Sequence, residues 1–170
     1  MGNGYPITAI LGKKKFLKCT SKTFISSTFW TEKSGIVAAL ETLKIMKNEK
    51  TYLKVKRNGL KIKKIWRQLS IKFDIPISIS GLDSIPSFKF VGNNSNKFKT
   101  YLTQEMLKLN ILATTSVYVS IEHNDKLLKK YKIGLDKIFK KIKMCQNGLI
   151  NINSILKYKE ANTDFYRLTK

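Results

Sequence analysis

The sequence predicts an α+β module in which a mostly antiparallel sheet is covered by helices. Apolar residues recur at helical spacing along residues 51–73. From Pro76 onward, short segments that alternate apolar and polar residues are interleaved with helical segments, in the order β-β-α-β-α. A length of 170 residues with 42% hydrophobic residues is enough to bury a core, so a wholly disordered chain is excluded.

The first half of the chain predicts one strand and two helices. Residues 5–12 are apolar and end in glycine, which indicates a short buried strand. Residues 34–48 have a helical period, and a longer helix follows over residues 51–73, with Gly59 weakening its first half. The apolar face of the first helix is Ile36, Leu40, Leu43 and Met46, and that of the second is Ile62, Ile65, Trp66, Leu69 and Phe73.

The second half predicts three strands and two more helices. Strands are expected at residues 75–80, ended by Gly81, at 88–91 and at 117–121. A helix over residues 97–109 turns Phe98, Leu102, Met106 and Leu109 inward. Asp125 is the predicted N-cap of a last helix that runs to Lys143, with Leu128, Tyr131, Leu135, Ile138 and Ile142 on its apolar face. Residues 144–170 show no sustained period and are expected to be an extended tail.

The charge balance is strongly basic but does not by itself identify a partner. The chain has 33 Lys plus Arg against 11 Asp plus Glu, a net charge of +22. Thirty of the basic residues are lysine and three are arginine, and 20 Ile and 12 Asn accompany them. All three abundant residues have A/T-rich codons, which favours a base-composition bias, whereas nucleic-acid modules use clustered arginine. A surface selected to bind a polyanion is the alternative.

The sequence favours a cytoplasmic protein without the usual catalytic or metal constellations. It has no apolar run long enough to span a membrane and opens with no signal peptide. Cys19 and Cys145 fit neither a disulfide framework nor a zinc cluster, and they are expected to pack rather than react. His123 excludes a multi-histidine metal site because it is the single histidine, and it is expected to be structural, with a general-base role as the alternative.

Two segments are less generic. Gly2, Asn3 and Gly4 precede Tyr5-Pro6 and allow a tight turn with close backbone approach to a small ligand. Residues 26–32, Ser-Ser-Thr-Phe-Trp-Thr-Glu, come directly before the first long helix, where hydroxyl groups and free amide groups favour a phosphate. Each segment alone also fits a plain structural role: a turn in the first case, and a helix cap with buried aromatic residues in the second.

In this order and spacing, the two segments resemble class III pyridoxal-phosphate (PLP)-dependent aminotransferases, and within them the glutamate-1-semialdehyde 2,1-aminomutase-like subgroup. Residues 35–46, 117–123 and 164–169 are compatible with the C-terminal part of those enzymes. The resemblance implies the C-terminal portion of a fold type I α/β enzyme. It implies a large-domain remnant with a linker helix (1–50), a connecting helix with a small domain (51–143) and the tail (144–170).

The resemblance also implies roles for individual residues. Thr28, with Ser27 as second choice, would bind the phosphate of PLP, and Gly2, Asn3 and Gly4 would shape the neighbouring turn. A complete enzyme of this kind would be a cytoplasmic dimer that moves an amino group of an amino-aldehyde or amino-acid-type substrate through Schiff-base intermediates. Its partner would be a second copy or a complementing large-domain fragment.

One departure from the family limits this expectation. The family's Schiff-base lysine lies shortly before the Gly-Asn-Gly turn, and by that alignment it falls upstream of Met1. None of the 30 lysines takes its place by motif, so no catalytic residue is assigned and the chain alone is expected to be inactive. The first 31 residues would then be the least ordered part. A non-enzymatic basic module that binds RNA or another polyanion is the alternative.

Overall fold

The computed structural model describes residues 1–25, 29 and 31–160, and its contacts divide the chain into two units, Met1–Tyr52 and Leu53–Lys170. The sequence-predicted boundary lies between residues 50 and 51. The helices are α1 (Lys14–Leu17), a 3-10 helix (Lys18–Lys22), α2 (Lys33–Glu49), α3 (Thr51–Phe73), α4 (Ser95–Leu107), α5 (Asp125–Gln146) and α6 (Ile152–Ile155). The strands are β1 (Ile77–Ser80) and β2 (Ser87–Phe90).

In the first unit, the predicted buried strand at residues 5–12 is wrong. This segment has no strand conformation beyond an isolated bridge at Tyr5, and most of its side chains are exposed, Leu11 by 89%. A strand needs a neighbouring strand to satisfy its backbone groups. Among the described residues, no segment forms a ladder with residues 6–12. The segment is apolar, as a buried strand would be, but no described residue belongs to a neighbouring strand that could pair with it.

Helix α2 forms within one residue of the predicted bounds, but its apolar face is not buried. Only Gly35 and Ala39 are buried in this helix. The predicted inward residues keep between two fifths and two thirds of their surface exposed: Ile36, Leu40, Leu43 and Met46. Helical period is a local property of the sequence, whereas burial requires a second layer, so the period alone could not predict this outcome.

The second unit holds the hydrophobic core, and α3 supplies one wall of it. The predicted face of α3 is confirmed: Trp66 is fully buried, and Ile62, Ile65 and Leu69 are almost fully buried. Trp66 packs on Phe88 of β2 with ring centroids 4.8 Å apart, and the Trp66 indole donates a hydrogen bond of 3.0 Å to the Tyr131 hydroxyl oxygen. That hydrogen bond satisfies the buried indole N–H group.

The sheet is a two-stranded antiparallel hairpin with a third segment beside it. Ile77 pairs with Phe90 and Ser80 with Ser87, and Gly81 ends β1 with φ of +81°. The predicted third strand is reduced to an isolated antiparallel bridge between Ser87 and Ser116. Three backbone hydrogen bonds hold this segment: Phe88 N to Thr115 O, Val117 N to Pro86 O and Val119 N to Ser84 O. The pairing direction was predicted correctly, but the pairing is too short to make a regular strand.

Helices α3 and α5 run parallel and are joined by polar side chains. Lys61 pairs with Asp125, Gln68 with Lys132 and Lys72 with Asp136. Each pair is separated by 64 residues in sequence, so the two helices keep a constant register over three turns. Exposed polar pairs of this kind add little to the free energy of unfolding. We therefore infer that their main role is to align α3 with α5.

Gly59 has a role that the sequence reasoning missed. A Cβ atom at Gly59 would lie 1.6 Å from the carbonyl oxygen of Asp83, so the β1–β2 loop touches the α3 backbone there. Lys63, one turn further along, donates to the carbonyl oxygen of Gly81 at 2.9 Å and to the Asp83 carboxylate at 2.8 Å. Gly59 is therefore a contact point for the loop, and not only a weak position in the helix.

Two details at the C-terminal end differ from prediction. The N-cap of α5 is Asn124, whose side-chain oxygen accepts from Leu127 N at 3.1 Å, and Asp125 is the first helical residue. Asparagine is as good a cap as aspartate, so the one-residue shift costs little. Helix α5 also continues to Gln146, and α6 follows it with Ile152 buried, so the predicted extended tail is wrong over this part. The remainder of that prediction, residues 161–170, lies outside the described residues.

The segment around α6 is held by Gln104 of α4. The Gln104 amide nitrogen donates to the Ile155 carbonyl at 3.0 Å, and its oxygen accepts from the Lys157 backbone N–H at 2.7 Å. Gln104 is only 6% exposed, and both ends of its amide are satisfied. This side chain therefore holds the backbone of residues 155–157 through two hydrogen bonds, which we call the Gln104 clamp. The spacing of apolar residues carries no information about such a polar contact.

Candidate functional site

The Gly-Asn-Gly segment forms the tight turn that the sequence predicts. Tyr5 N donates to Gly2 O at 3.2 Å, and the two central residues have positive φ angles, +47° at Asn3 and +107° at Gly4. Positive φ at both central positions is typical of a type I′ turn, which Asn-Gly favours. Gly2 is buried, and a Cβ atom there would lie 2.7 Å from the Tyr5 carbonyl oxygen. The turn therefore depends on these particular residue types.

The residues that follow the turn lie against the start of α2. A Cβ atom at Gly35, in the first turn of α2, would lie 2.9 Å from the carbonyl oxygen of Pro6 and 3.4 Å from Cβ of Ile7. The γ2 methyl of Ile7 would in turn lie 2.9 Å from a Cβ atom at Gly2. Two glycines thus let residues 2–7 fold closely on themselves and approach the first turn of α2. The structure brings together the Gly-Asn-Gly turn and the N-terminus of the helix that follows residues 26–32.

The N-terminus of α2 is already capped. Glu32 is the N-cap, and its carboxylate accepts from the Ser34 backbone N–H at 2.9 Å. Hydrogen bonds from the side chain and then the backbone of Ser34 hold the pKa of Glu32 below its ordinary value. A carboxylate at this position takes up an amide that a phosphate would need and repels a second negative charge. The expectation of free amide groups at this helix start is therefore wrong at Ser34.

The two predicted phosphate ligands, Thr28 and Ser27, lie outside the described residues. Of the neighbouring segment the structure gives Phe29, whose carbonyl oxygen accepts from Glu32 N at 3.1 Å. The roles of Thr28 and Ser27 therefore stay predictions. The described part of the site is the turn at Gly2, Asn3 and Gly4.

The single histidine has the structural surroundings expected of it. His123 Nδ1 accepts from the Ser120 backbone N–H at 3.0 Å and lies 3.0 Å from Ser120 Oγ. Because Nδ1 is an acceptor, the neutral ring carries its proton on Nε2. The Ser120 carbonyl oxygen accepts from the Asn58 amide at 3.4 Å. The imidazole thus helps to close the loop before α5.

The two cysteines differ in exposure. Cys19 is exposed and donates to the Phe16 carbonyl at 2.9 Å, so the predicted packing role is wrong for Cys19. Burial raises the pKa of the Cys145 thiol, which lowers its reactivity.

No group of His, Cys, Asp and Glu that could hold a metal ion occurs among residues 1–25, 29 and 31–160. Within the same residues, no helix is both long and apolar enough to cross a membrane.

Comparisons with known proteins give relatives of one kind. The chain is 26% identical over 131 residues to a 3-aminobutyryl-CoA aminotransferase of Cloacimonas acidaminovorans, which covers 74% of this chain and 32% of that protein. It is 25% identical over 160 residues to a glutamate-1-semialdehyde 2,1-aminomutase of Methanococcus maripaludis, which covers 84% of this chain and 37% of that protein. The resemblance to class III aminotransferases is confirmed.

The fold agrees with this relationship. The structure matches the PLP internal aldimine form of the FumI protein of Sphingopyxis sp. MTA144, with a TM-score of 0.76 and 19% identity. The match covers 91% of this chain and 38% of that protein. The predicted fold class, an α/β aminotransferase portion with a long helix and a small antiparallel sheet, is confirmed. No protein-family model matches the chain. The chain spans about a third of the length of the relatives that it matches.

Proposed function

We propose that this chain is the C-terminal part of a PLP-dependent aminotransferase or aminomutase that moves an amino group within or between small amino-aldehyde or amino-acid-type molecules. The observation that carries the proposal is the aminotransferase fold retained over 91% of the chain, together with sequence relatives that are aminotransferases and aminomutases. The catalytic lysine and the remainder of the cofactor site would come from the part of the enzyme that these 170 residues do not include.

The described residues fit a supporting role beside the cofactor rather than a complete cofactor site. Gly4 is a position where a side chain would meet no atom within 4 Å, so the turn presents open backbone. The Ser34 amide, by contrast, is bonded to Glu32 and is not free for a phosphate. PLP in such enzymes acts as an electron sink for charge that develops on the substrate carbon. Here Gly2, Asn3 and Gly4 would shape the wall beside it, and Thr28 and Ser27 would hold its phosphate.

The exposed apolar face of α2 supports the same proposal. Leu40 is 64% exposed and Val37 is also 64% exposed, in a helix of 17 residues that buries only Gly35 and Ala39. Apolar side chains repeated along a helix face normally pack on another element. We propose that the large-domain half of the enzyme covers this face, whether it is joined to this chain or supplied as a separate fragment.

The nucleotide sequence before the Met1 codon, followed by spectroscopy, tests this function. We expect an open reading frame upstream, in frame or as a neighbouring gene, that encodes the lysine and the large-domain half. After free PLP is removed and the samples are reduced with borohydride, peptide mass spectrometry should find no stoichiometric pyridoxyl-lysine at any one site of the 170-residue chain, whereas the chain together with that half should carry one on the lysine of that half. An upstream region without the lysine and the large-domain half would overturn the proposal.

A matched pair of glycine variants then tests the turn. In the complete enzyme, Gly4→Ala should weaken PLP binding, because alanine is strained at a φ of +107°. Gly12→Ala should leave it unchanged, because Gly12 does not need a positive φ and its Cβ atom would make ordinary contacts of 3.5 Å. Equal PLP affinity in both variants would show that the turn is not part of the cofactor site.

The comparisons give no support for the polyanion-binding alternative.

A further inference from the structure

The second unit contains a cavity that the proposed function does not use. It has a volume of about 640 Å³, within the range of roughly 300–1,000 Å³ that small-molecule pockets occupy. Its floor is formed by three buried side chains, Ile62 of α3 and Leu128 and Tyr131 of α5. Ile111, Leu112, Ala113, Val117 and Leu127 add further apolar surface.

The cavity exists because the chain arches between α4 and the sheet. The arch begins where Asn110 takes a φ of +55° and Ile111 N donates to Met106 O at 3.1 Å. It ends where Val117 and Val119 bond to the backbone at Pro86 and Ser84. Backbone hydrogen bonds hold both ends of the arch, so the cavity lies beneath a segment that is fixed on both sides.

The charge of the lining is one-sided. Lys130 and His123 line the cavity, with the hydroxyl groups of Thr103, Thr114 and Ser116 and the amide of Asn110, and no Asp or Glu is among the lining residues. Lys130 is exposed and has no ion-pair partner among the described residues. A ligand with an apolar body and a negatively charged head group would therefore complement the apolar floor of the cavity and the positive charge of Lys130 at its rim.

We propose that this cavity binds an amphipathic monocarboxylate, with its hydrocarbon body on Ile62, Leu128 and Tyr131 and its carboxylate beside Lys130. A straight alkyl chain gains free energy from the apolar area that it buries. The ammonium of Lys130 selects the sign of the head group. An alkylamine of the same length fits the floor equally well but meets the wrong charge at the rim.

The experiment measures the binding of decanoate, decanol and decylamine to the full 170-residue chain by calorimetry, below their micelle concentrations and at 0.15 M salt. Trp66 donates a hydrogen bond to Tyr131, so Trp66 fluorescence in a Trp30→Phe background gives a second readout from the cavity floor. Decanoate should bind most tightly and decylamine most weakly. Equal affinity for the three compounds, or no binding at all, would overturn the proposal.

Two lysine variants separate local from general charge. Lys130→Glu should weaken decanoate binding about threefold to tenfold and strengthen decylamine binding, which reverses the preference. Lys129→Glu carries the same change in net charge on the adjacent residue of α5, which does not line this cavity, and it should keep the preference for decanoate. A reversal by both variants, or by neither, would show that the head group is not beside Lys130.

A third variant blocks the cavity without touching the buried floor. Ala113 lines the cavity on the arch and is only partly buried, so Ala113→Trp should fill the space while the chain stays folded. Circular dichroism and urea unfolding verify the fold of this variant. We expect its decanoate binding to fall at least tenfold. Unchanged decanoate binding in folded Ala113→Trp protein would place the ligand elsewhere and overturn the proposal.

Discussion

Helices α2 and α3 both repeat apolar residues at helical spacing, and α3 is the more strongly amphipathic of the two, but they bury very different amounts of apolar surface. In α2, Ile36 is 50% exposed and Leu40 is 64% exposed. In α3, Trp66 is 0% exposed and Leu69 is 1% exposed. The difference lies in what each unit supplies. The second unit provides β2, α4 and α5 as further layers of a core, whereas the described residues of the first unit add to α2 two short helical segments and a stretch, residues 6–12, that forms no ladder.

This comparison shows what an amphipathic period can and cannot predict. The period identifies which residues share a face, because it follows from 3.6 residues per turn. Whether that face is covered depends on other segments. In the first unit the covering layer is not among the described residues, which agrees with a chain that spans about a third of its relatives. The second unit therefore has a core of its own, and we propose that the first is part of a larger surface.

The largest expected effect comes from one pair of matched leucine truncations. Leu135→Ala in α5 removes a side chain that is 0% exposed and should cost about 2–5 kcal/mol of unfolding free energy. Leu40→Ala in α2 should change it by less than about 0.5 kcal/mol, because the side chain is mostly in water already. Urea unfolding followed by far-ultraviolet circular dichroism measures both. Similar losses in the two variants would mean that α2 is packed as tightly as α5.

A pair of helix glycines sharpens the comparison. Alanine in place of glycine normally favours a helix by about 1 kcal/mol. Gly59→Ala should instead destabilise by about 1–3 kcal/mol, because its Cβ atom would lie 1.6 Å from the Asp83 carbonyl oxygen in a loop that Lys63 also holds. Gly35→Ala should cost less, because its nearest contact is 2.9 Å and residues 6–7 form no ladder with a described segment. A larger loss at Gly35 in urea unfolding would contradict this ordering.

The Gln104 clamp gives a local effect within the second unit. Gln104→Ala removes two hydrogen bonds to the backbone at Ile155 and Lys157 and should cost about 1–3 kcal/mol. The Lys157 amide should then exchange its hydrogen faster, while the amides of α3 stay protected. Leu107→Ala, at the exposed last residue of the same helix, serves as the control and should leave Lys157 exchange unchanged. An unaffected Lys157 amide in the Gln104 variant would show that the clamp does not hold this segment.

The smallest effect is a pH dependence at the α3–α5 contact. A hydrogen bond and the charge of Lys61 hold the pKa of Asp125 below its ordinary value in the folded state. A lowered folded pKa means that the contribution to stability is present above the unfolded pKa and is lost as the pH falls through the folded one. Asp125→Asn should therefore flatten the fall of the urea midpoint of unfolding between pH 5 and pH 2. The effect should be smaller than the losses of stability expected for Leu135→Ala, Gly59→Ala and Gln104→Ala. Parallel curves for wild type and variant would contradict the assignment.

The sequence predicted the helices well because their signals are local. The bounds of α3 and the inward faces of α3 and α5 follow from apolar spacing. In α4 the spacing also places Phe98, Leu102 and Met106 correctly, but Leu109 lies beyond the helix, which begins and ends two residues earlier than predicted. The Gly-Asn-Gly turn was also predictable, since Asn-Gly favours positive φ at both positions. The strand at residues 5–12 was not, because a strand is defined by its partner. Gly59 and Gln104 were missed for the same reason: each acts on backbone that is distant in sequence.

Hydrogen exchange of the 170-residue chain alone, read peptide by peptide, tests the central claim most directly. The claim is that the second unit is a folded core, together with the proposal that the first is one face of a larger enzyme. We expect the amides of α3 beyond Tyr52, α4 and α5 to exchange only through global unfolding, and those of residues 1–50 to exchange through local opening at rates that are orders of magnitude faster. Equal protection of residues 1–50, or greater protection than in α5, would contradict the account.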